Sequence, residues 1–433
     1  MKILFSSRTL PLLLVTCLLS VLAAAAVRAQ TVSARDRDRG RAMLRGVREE
    51  IERRYYDPTF HGVDVAARAE ELDQRIQQAS TLAEVLASVA QLPLLLGDQH
   101  TFFIPPQQTV SVVYGWSMLM VGDSCYVDRV EVASDAARQG VAPGDRVLAV
   151  NGYRPTRDNL WQILYLFHVL RPQQALRVTL RSPAGAEREL ELAARVRQSF
   201  RVLDLTGADG GTGIAELIRA AEREADEFDP RLGEAPGNVL VWKLPTFSVD
   251  ARALDDARRR LRGRAGLVLD LRGNGGGPAE TLLSVLGMLF GDSVVVGMQR
   301  ERGRELALVA RGTGAAAFTA PVVVLVDSRS ASASEVLARV VQLSKRGVVL
   351  GDRTAGAVMR AYQRSMGMGV ERAVFYGVSV TDADLVMADG GRLEKAGVVP
   401  DERILPAPAQ MAAADDPVIA RALALLAART GGR

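Results

Sequence analysis

A repeated order of strand, turn and helix in the second half of the chain constrains its fold more than any other feature. From residue 238 onward, the apolar runs NVLVWKL, AGLVLDLRG, APVVVLVDS and GVVLGDR alternate with the helical patterns ARALDDARRRLRG, PAETLLSVLGMLF and ASEVLARVVQL. Apolar runs without polar alternation are typical of strands that are buried on both faces. The alternation predicts an α/β core over residues 238–406 with buried strands, followed by a closing amphipathic helix within 407–433.

The first half of the chain divides into three stretches of different character. Apolar residues at three-to-four spacing predict an N-terminal helical domain over residues 30–106, with the turn DPTFHG between two helices. Residues 107–196 contain short β-branched runs separated by Gly and Asp turns, which predict a β-rich domain. Residues 197–237, with TGADGGTGIAEL and READEFDPRLGEAPG, show neither pattern and predict an irregular connector.

The extreme N-terminus has the features of a secretory signal. Lys2 and Arg8 precede an apolar run from Leu10 to Ala26, and the small residue Ala29 suits cleavage after that position. We therefore expect residues 1–29 to be removed and the mature chain to be periplasmic or secreted. The alternative is an uncleaved segment that anchors the protein in a membrane, since the run is almost long enough to span a bilayer.

Composition narrows the classes of partner and cofactor. The formal net charge is +4, but the arginines are interleaved with Asp and Glu, as in RDRDRGRAMLRGVREEIERR. This pattern indicates solvated helix faces rather than a nucleic-acid-binding stripe. One of the two cysteines, Cys17, lies in the predicted signal, so Cys125 has no intrachain disulfide partner in the mature chain. No Cys/His cluster has metal-ligand spacing, and we expect no metal or other cofactor.

The stretch APVVVLVDSRSASASEVLARVVQL suggests a serine nucleophile. A buried strand followed by a helix places Ser332 at the helix N-terminus. Backbone N–H groups and the positive end of the helix dipole stabilise a developing oxyanion at such a point. The same strand–turn–helix arrangement underlies the nucleophile elbow of other hydrolases. The alternative is that Ser330, Ser332 and Ser334 only cap the helix, since serine is favoured there.

A glycine-rich turn in GLVLDLRGNGGGPAETLL supports the catalytic interpretation. The glycines at 275–277 allow the backbone to approach a substrate carbonyl and to donate N–H groups to it. A turn of this kind before a helix could instead hold a phosphate group. The sequence lacks the G-K-[ST] ending of a nucleotide-binding loop, which disfavours that interpretation.

Four motifs in the same order, LDLRGNGGG, VVVLVDSRSASASE, LGDRTAG and GGRLEKAGVVPD, resemble the S41 peptidase family. That family includes the C-terminal processing proteases and the tricorn core protease. The resemblance implies an α/β fold with a crotonase-like (ClpP/crotonase-type) β-α spiral core and Ser332 as the nucleophile. It also implies an oxyanion hole made from the amides of Ala333 and Gly276.

The stretch ASDAARQGVAPGDRVLAVNGYRP resembles a PDZ domain, which would occupy residues 107–196 as an insertion before the core. The resemblance places Tyr114, Gly115, Trp116 and Ser117 in the carboxylate-binding loop of that family, which captures a peptide C-terminus as an added strand. The alternative is a spacer that fills its own groove. Trp116 stands where a small aliphatic residue is usual, so the shape of the pocket stays open at this point.

The base that would activate Ser332 departs from the better-known pattern of the family. In C-terminal processing proteases the base is a lysine, which would fall at position 357, and this chain has Ala357 there. The lysines at positions 243, 345 and 395 do not match the motif. The stretch LLGDQHTFFIPP resembles the G-D-x-H-T loop of the S41 members that use serine and histidine. The resemblance therefore indicates His100 as the base, a role that suits a side chain titrating near neutral pH.

The other histidines have simpler interpretations, and a glutamate completes the proposed set. We interpret His61 as an exposed or capping residue of a turn and His168 as a core residue of an apolar helix. The segment LEKAGVVPD resembles the tricorn segment whose glutamate orients the catalytic histidine, which assigns that role to Glu394. Gln99 stands where tricorn has a serine beside its histidine.

Together these features predict a secreted or periplasmic serine endopeptidase that cleaves peptides or unfolded proteins through an acyl-enzyme. Activity would fall as the pH drops through a histidine pKa of about 6 to 7. One alternative is a catalytically inactive relative that binds peptides or small hydrophobic ligands. Another is a PDZ adaptor in which the core only stabilises the protein.

Overall fold

The computed structural model describes residues 32–106, 110–198, 230–368, 374–413 and 415–430. The predicted signal segment 1–29 and most of the predicted connector 197–237 lie outside the described residues. Within the described ranges, no helix combines the length and the apolar composition needed to cross a membrane.

Three helices begin the described chain where the periodicity predicts two, because the second predicted helix is interrupted between Gln78 and Leu82. They are α1 (Ala34–Arg54), α2 (Val65–Gln78) and α3 (Leu82–Leu94). The side chains of Ser33, Asp64 and Thr81 cap their N-termini by accepting a backbone N–H bond. Each helix turns one apolar face toward a shared core, whose fully buried members include Val47, Ile76 and Val89.

A short strand, β1 (Phe102–Ile104), follows α3 and leads into a β-rich unit that we call the inserted module (residues 110–198). Its elements are β2 (Val110–Val113), β3 (Trp116–Val121), β4 (Ser124–Val130), α4 (Asp135–Arg138), β5 (Arg146–Val150), α5 (Leu160–Leu164), β6 (Ala175–Arg181), β7 (Glu187–Ala193) and β8 (Arg195–Gln198). Strands β3 to β7 form one antiparallel sheet in sequence order, and β2 pairs with β8. The module has a hydrophobic core of its own.

The remaining elements form the core of the protein. They are β9 (Arg231–Ala235), β10 (Val239–Lys243), α6 (Ala251–Leu261), β11 (Gly266–Asp270), α7 (Ala279–Leu289), β12 (Val294–Glu301), β13 (Arg304–Ala310), β14 (Val322–Val326), α8 (Ala333–Leu343), β15 (Gly347–Gly351), β16 (Met359–Met368), β17 (Val374–Met387), β18 (Glu402–Arg403) and α9 (Pro417–Thr430).

A six-stranded sheet of order β18-β15-β14-β11-β10-β9 organises this core. It is parallel except for β9, and β11 and β14 are buried along their whole length. Continuous apolar runs predict this arrangement, because helices cover both faces of a parallel sheet. The prediction of an α/β core is therefore confirmed, while the spiral arrangement stays a prediction.

Strand β9 corrects one expectation. The predicted irregular connector includes Arg231–Ala235, yet these residues pair antiparallel with β10. The two strands meet at a turn in which Gly237 and Asn238 have positive φ. Arg, Gly, Glu and Ala have little intrinsic preference for strands. The open edge of β10, rather than local preference, makes this segment extended.

A second sheet joins the N-terminal segment to the core. Strand β17 pairs with β16 and β12, and also with β1 through the partners Phe102 and Ser379. Just before β1, Thr101 donates a side-chain hydrogen bond to Thr381, which lies 280 positions later in the chain. The loop that precedes β1, residues 97–101, is thereby fixed against the core.

Candidate active site

Ser332 lies in the sharp turn between β14 and α8. Its backbone has φ 54° and ψ −117°, a conformation that residues with side chains rarely adopt. The residue is partly exposed, and its hydroxyl makes no capping hydrogen bond to the helix. A strained turn that presents a partly exposed serine at a helix N-terminus is the geometry of a nucleophile elbow.

The two neighbouring serines have different roles. The Ser330 hydroxyl donates to the backbone oxygen of Leu271 at 2.9 Å, and the Ser334 hydroxyl donates to that of Asn274 at 3.0 Å. Both serines are fully buried. Their hydroxyls therefore hold the serine turn against the glycine-rich turn.

Gly276 packs directly against Ser332. Its φ is 107°, and a Cβ added to it would lie 2.7 Å from the Ser332 Cβ. Its amide donates to the Asn274 side-chain oxygen at 2.8 Å, so this predicted oxyanion donor is already engaged in the structure. Ala333, the other predicted donor, is the buried first residue of α8, where the amides point toward the serine turn.

Glu335 is a central residue that the sequence analysis did not assign. Its fully buried carboxylate accepts hydrogen bonds from the Ser332 amide (3.0 Å), the Thr354 hydroxyl (2.5 Å) and the amides of Gly356 (2.8 Å) and Ala357 (2.9 Å). Burial raises the pKa of Glu335 to about 7, although these donors lower it. The spacing S-x-x-E at a helix start is the sequence signal that could have identified it.

The segment after Gly356 connects Ser332 to Glu394. The Ser332 amide donates to the Ala357 oxygen at 2.9 Å, which confirms that position 357 adjoins the serine. The next amide, that of Val358, donates to one carboxylate oxygen of Glu394 at 2.7 Å. Ala357 itself is buried. Lys243 is committed elsewhere, since its Nζ donates to the Arg272 oxygen at 2.6 Å.

The other carboxylate oxygen of Glu394, Oε1, is buried without a hydrogen-bond partner among the described residues. Burial raises the pKa of Glu394 to about 8, the Val358 amide lowers it, and the carboxylates of Asp98 and Glu335 raise it further. A buried oxygen without a donor is costly and uncommon. Glu394 therefore has an unused acceptor within the site.

His100 lies in the loop before β1 and is 9% exposed. Its backbone amide donates to Asp98 at 2.9 Å, and its ring Nδ1 is buried without a partner in the described part of the chain. Burial lowers the pKa of the imidazole below 6.5, and the nearby Asp98 carboxylate opposes that shift. The expected titration near 6 to 7 is therefore moved to lower pH by desolvation.

The loops of His100 and Glu394 lie side by side. The Lys395 Nζ is 3.7 Å from the point that a Cβ would occupy at Gly97, and Asp98 is close enough to raise the pKa of Glu394. The structure thus brings Gly276, Ser332 and Glu394 into one connected set and places the His100 loop beside it. No hydrogen bond joins His100 Nδ1 to Glu394 Oε1.

The remaining histidines are engaged in local contacts. His61 is exposed, and its ring lies 3.0 Å from the Leu96 oxygen and 2.9 Å from the Tyr56 hydroxyl. His168 lies in a π-helical turn (Tyr165–Leu170) after α5 and packs edge-on against Tyr114, with 5.1 Å between ring centroids. These surroundings agree with a turn residue and a packed residue, respectively.

The predicted peptide-binding loop of the inserted module is closed in this structure. Tyr114, Trp116 and Ser117 are buried, and the cavity beside them measures about 10 Å³. That volume is about one water molecule, far less than a peptide side chain needs. Ser117 donates to Asp128 at 2.9 Å, and Gly115, at φ 72°, packs on Ser134. These contacts favour the alternative that the module fills its own groove.

The inserted module also touches the serine turn. The Arg329 guanidinium donates to Asp128 at 2.6 and 3.1 Å and to the Met118 oxygen at 2.6 Å. The Ser328 hydroxyl donates to the Met120 oxygen at 2.6 Å. The residues just before the candidate nucleophile are therefore anchored on β3 and β4. Among the described residues, no group of three or more His, Cys, Asp or Glu side chains is arranged to hold a metal.

Residues 238–404 match the model of peptidase family S41. This segment is an S41 peptidase domain. The matched segment contains Gly276, Ser332, Glu335 and Glu394, whereas His100 and the inserted module precede it.

Relatives of this protein include C-terminal processing peptidases. The chloroplastic C-terminal processing peptidase of Tetradesmus obliquus is 28% identical over 379 residues, which cover 82% of this chain and 75% of that protein. The carboxyl-terminal-processing protease of Synechocystis sp. is 27% identical over 274 residues, which cover 62% of this chain and 56% of that protein. The match thus reaches little more than half the length of the cyanobacterial relative.

Two solved structures share the fold. Mature CPAF superposes with a TM-score of 0.65 at 12% sequence identity, covering 88% of this chain and 95% of that chain. The photosystem II D1 C-terminal processing protease superposes with a TM-score of 0.50 at 21% identity, covering 88% of this chain and 98% of that chain. These similarities agree with the mixed α/β fold of the chain.

Proposed function

We propose that this chain is an exported serine endopeptidase in which Ser332 is the nucleophile, His100 the base and Glu394 the residue that orients the base. One observation carries the proposal. Ser332 lies partly exposed on a positive-φ turn at the start of α8 and makes no side-chain capping bond, while the hydroxyls of Ser330 and Ser334 hold that turn. A turn that served only as a cap would not need this strain.

The proposed reaction is acyl transfer. The Ser332 Oγ attacks the peptide carbonyl carbon, and His100 takes the hydroxyl proton. The C–N bond then breaks as His100 returns that proton to the leaving amine, and water hydrolyses the resulting ester by the reverse route. The Ala333 amide supports the oxyanion from the helix N-terminus. Gly276 would join it only after its amide leaves the Asn274 oxygen.

The pairing of His100 with Glu394 is supported by one atom on each side chain that lacks a hydrogen-bond partner among the described residues. Within the described residues, His100 Nδ1 is a buried ring nitrogen without a partner, and Glu394 Oε1 is a buried carboxyl oxygen without a donor. A bond between them would satisfy both atoms and would fix the tautomer in which the other ring nitrogen accepts a proton. It would also raise the pKa of His100 and lower that of Glu394, opposing the effect of burial on each.

The substrates that we propose are peptides or unfolded proteins. The curated relatives are named for processing carboxyl-terminal segments, and the family consists of peptidases. Export follows from the signal features of residues 1–29 in the sequence. Capture of a peptide C-terminus by the inserted module would require its closed groove to open.

Labelling with a fluorophosphonate probe tests the proposal directly. The purified protein should react at Ser332, and tandem mass spectrometry should locate the adduct on that residue. It should also cleave an unfolded model substrate such as casein. A protein that neither reacts nor cleaves would instead be a catalytically inactive binding protein of the same fold. The engaged Gly276 amide is the structural feature that favours this second function.

A further inference from the structure

Asp98 occupies the centre of the loop that carries His100. One of its carboxylate oxygens accepts the amides of His100 (2.9 Å) and Thr101 (2.7 Å) and the hydroxyl of Thr381 (2.8 Å). The other oxygen accepts the Tyr55 hydroxyl at 2.9 Å. The side chain is 1% exposed. Asp98 thus joins the loop to the end of α1 and to strand β17.

This arrangement fixes the backbone from which the imidazole projects. The two hydrogen bonds come from the backbone amides of adjacent residues and close a tight turn around the Asp98 carboxylate. The Thr381 contact ties that turn to the core strand that also pairs with β1. A neutral side chain with an oxygen at the same place could accept the same two amides. The four donors alone therefore leave open why a charged group is buried here.

The negative charge of Asp98 becomes useful when His100 takes up a proton. A buried imidazole resists protonation, because desolvation disfavours the cation. Asp98 is the neighbouring charge that opposes this effect at His100. Other titratable side chains on the elements packed around the loop are Tyr55, Tyr56, Asp57 and His61 on the turn after α1, Asp384 on β17, and Glu394 and Lys395 on the loop beside Gly97.

We propose that Asp98 is a positioning residue that holds the His100 loop in place and supplies the negative charge that stabilises the imidazolium form of His100. This inference rests on the proposed function for its catalytic meaning. The effect of Asp98 on the pKa of the His100 ring does not depend on catalysis. Asp98 does not touch the reacting atoms and acts through His100.

The test uses the fact that the chain has only three histidines. Ring resonances of a histidine-labelled protein are assigned with His61→Gln and His168→Gln, and the pKa of His100 is measured by NMR in the Ser332→Ala background. The Asp98→Asn variant keeps an oxygen for the two amides and removes the charge. We expect the pKa of His100 to fall by about one unit or more. An unchanged value would overturn the inference.

Two further variants control this measurement. Asp57→Asn removes a carboxylate that bonds to the His61 turn rather than to the His100 loop, and it should leave the pKa of His100 unchanged. Tyr55→Phe removes one donor from Asp98 and leaves its charge less compensated, so the pKa of His100 should rise. If Asp98→Asn does not fold, the direction of the shift in the pKa of His100 in Tyr55→Phe decides the test. A fall in that variant, or no shift, contradicts the proposed role of the charge.

Kinetics separates this inference from the proposed function. With active Ser332, the acid limb of kcat/KM for Asp98→Asn should move to lower pH in parallel with the NMR value. The rate at the pH plateau should fall about three- to tenfold, because His100 becomes a weaker base. If the NMR shift occurs while His100→Ala retains full turnover, the role of Asp98 at the ring stands and the proposed base fails. A pH profile that does not move despite the NMR shift contradicts the catalytic part of the inference.

Discussion

Gly276 and Ser332 are packed so closely that the glycine has no room for a side chain. A Cβ at Gly276 would lie 2.7 Å from the Ser332 Cβ and 3.2 Å from its Oγ. We expect Gly276→Ala to displace the serine turn and to reduce fluorophosphonate labelling at least about tenfold. Gly273→Ala is the matched control, since Gly273 also has positive φ, 71°, but has no atom within 4 Å of its added Cβ. Equal labelling of both variants would show that the close approach is irrelevant to reactivity.

The three serines of the turn should respond differently to substitution by alanine. Ser332→Ala should lose fluorophosphonate labelling with little change in stability, because its hydroxyl caps nothing. Ser330→Ala and Ser334→Ala should retain labelling, but each removes one of the two hydrogen bonds that a buried backbone oxygen accepts. The expected loss in the free energy of unfolding is about 0.5–1.5 kcal/mol for each. Labelling that persists in Ser332→Ala, measured by mass spectrometry, contradicts the assignment of the nucleophile.

The sequence was sufficient for the features that depend on local pattern. Apolar runs predicted the buried strands β11 and β14, and the strand–turn–helix order predicted the position of Ser332 before α8. In both cases the relevant residues lie within one or two adjacent elements, where periodicity and turn chemistry have a direct meaning. The glycine-rich turn was expected to approach a substrate carbonyl, and its packing against Ser332 is seen only in the fold.

Long-range relationships were not accessible in the same way. The contact between Thr101 and Thr381 spans 280 positions, and no local pattern shows that β1 would join β17. The four donors to Glu335 come from segments about twenty positions apart. The closed groove beside Trp116 depends on packing with the helix after β5. Resemblance indicated His100, but its burial and the shift in its pKa follow only from the fold.

Export should leave a defined N-terminus. If residues 1–29 act as a cleaved signal, the mature protein should begin at Gln30 and carry a mass that lacks the leader. Intact-mass spectrometry of protein isolated from the periplasm or the medium measures this directly. A chain that retains residues 1–29 and sediments with membranes would favour the anchored alternative.

The raised pKa of Glu394 should make the stability of the protein fall as the pH rises. Burial raises the pKa of Glu394 from 4.5 to about 8. The folded chain therefore binds this proton more tightly than the unfolded chain, and the stabilisation present below pH 4.5 is lost as the pH rises through about 8. Glu394→Gln should flatten this dependence by up to about 1.4 kcal/mol per pH unit.

Denaturant unfolding from pH 4.5 to 8.5 measures the effect of Glu394→Gln. Glu280→Gln, at an exposed position of α7, is the control and should leave the slope unchanged. Identical slopes for Glu394→Gln and the unsubstituted protein would show that Glu394 is ionised in the folded state near neutral pH. Such a result would imply a donor on its Oε1.

The identity of the base gives the most decisive prediction. His100→Ala should reduce turnover by several orders of magnitude while the protein remains folded, as the loss of a triad member does. Because burial lowers the pKa of His100, the acid limb of kcat/KM should lie below pH 6.5. Adding Ala357→Lys to His100→Ala should not restore activity, since a lysine at this buried position needs its own pocket to be neutral. His61→Ala and His168→Ala are the controls and should keep the rate of the unsubstituted enzyme. Near-full turnover in His100→Ala, with Ser332→Ala inactive, would require another base.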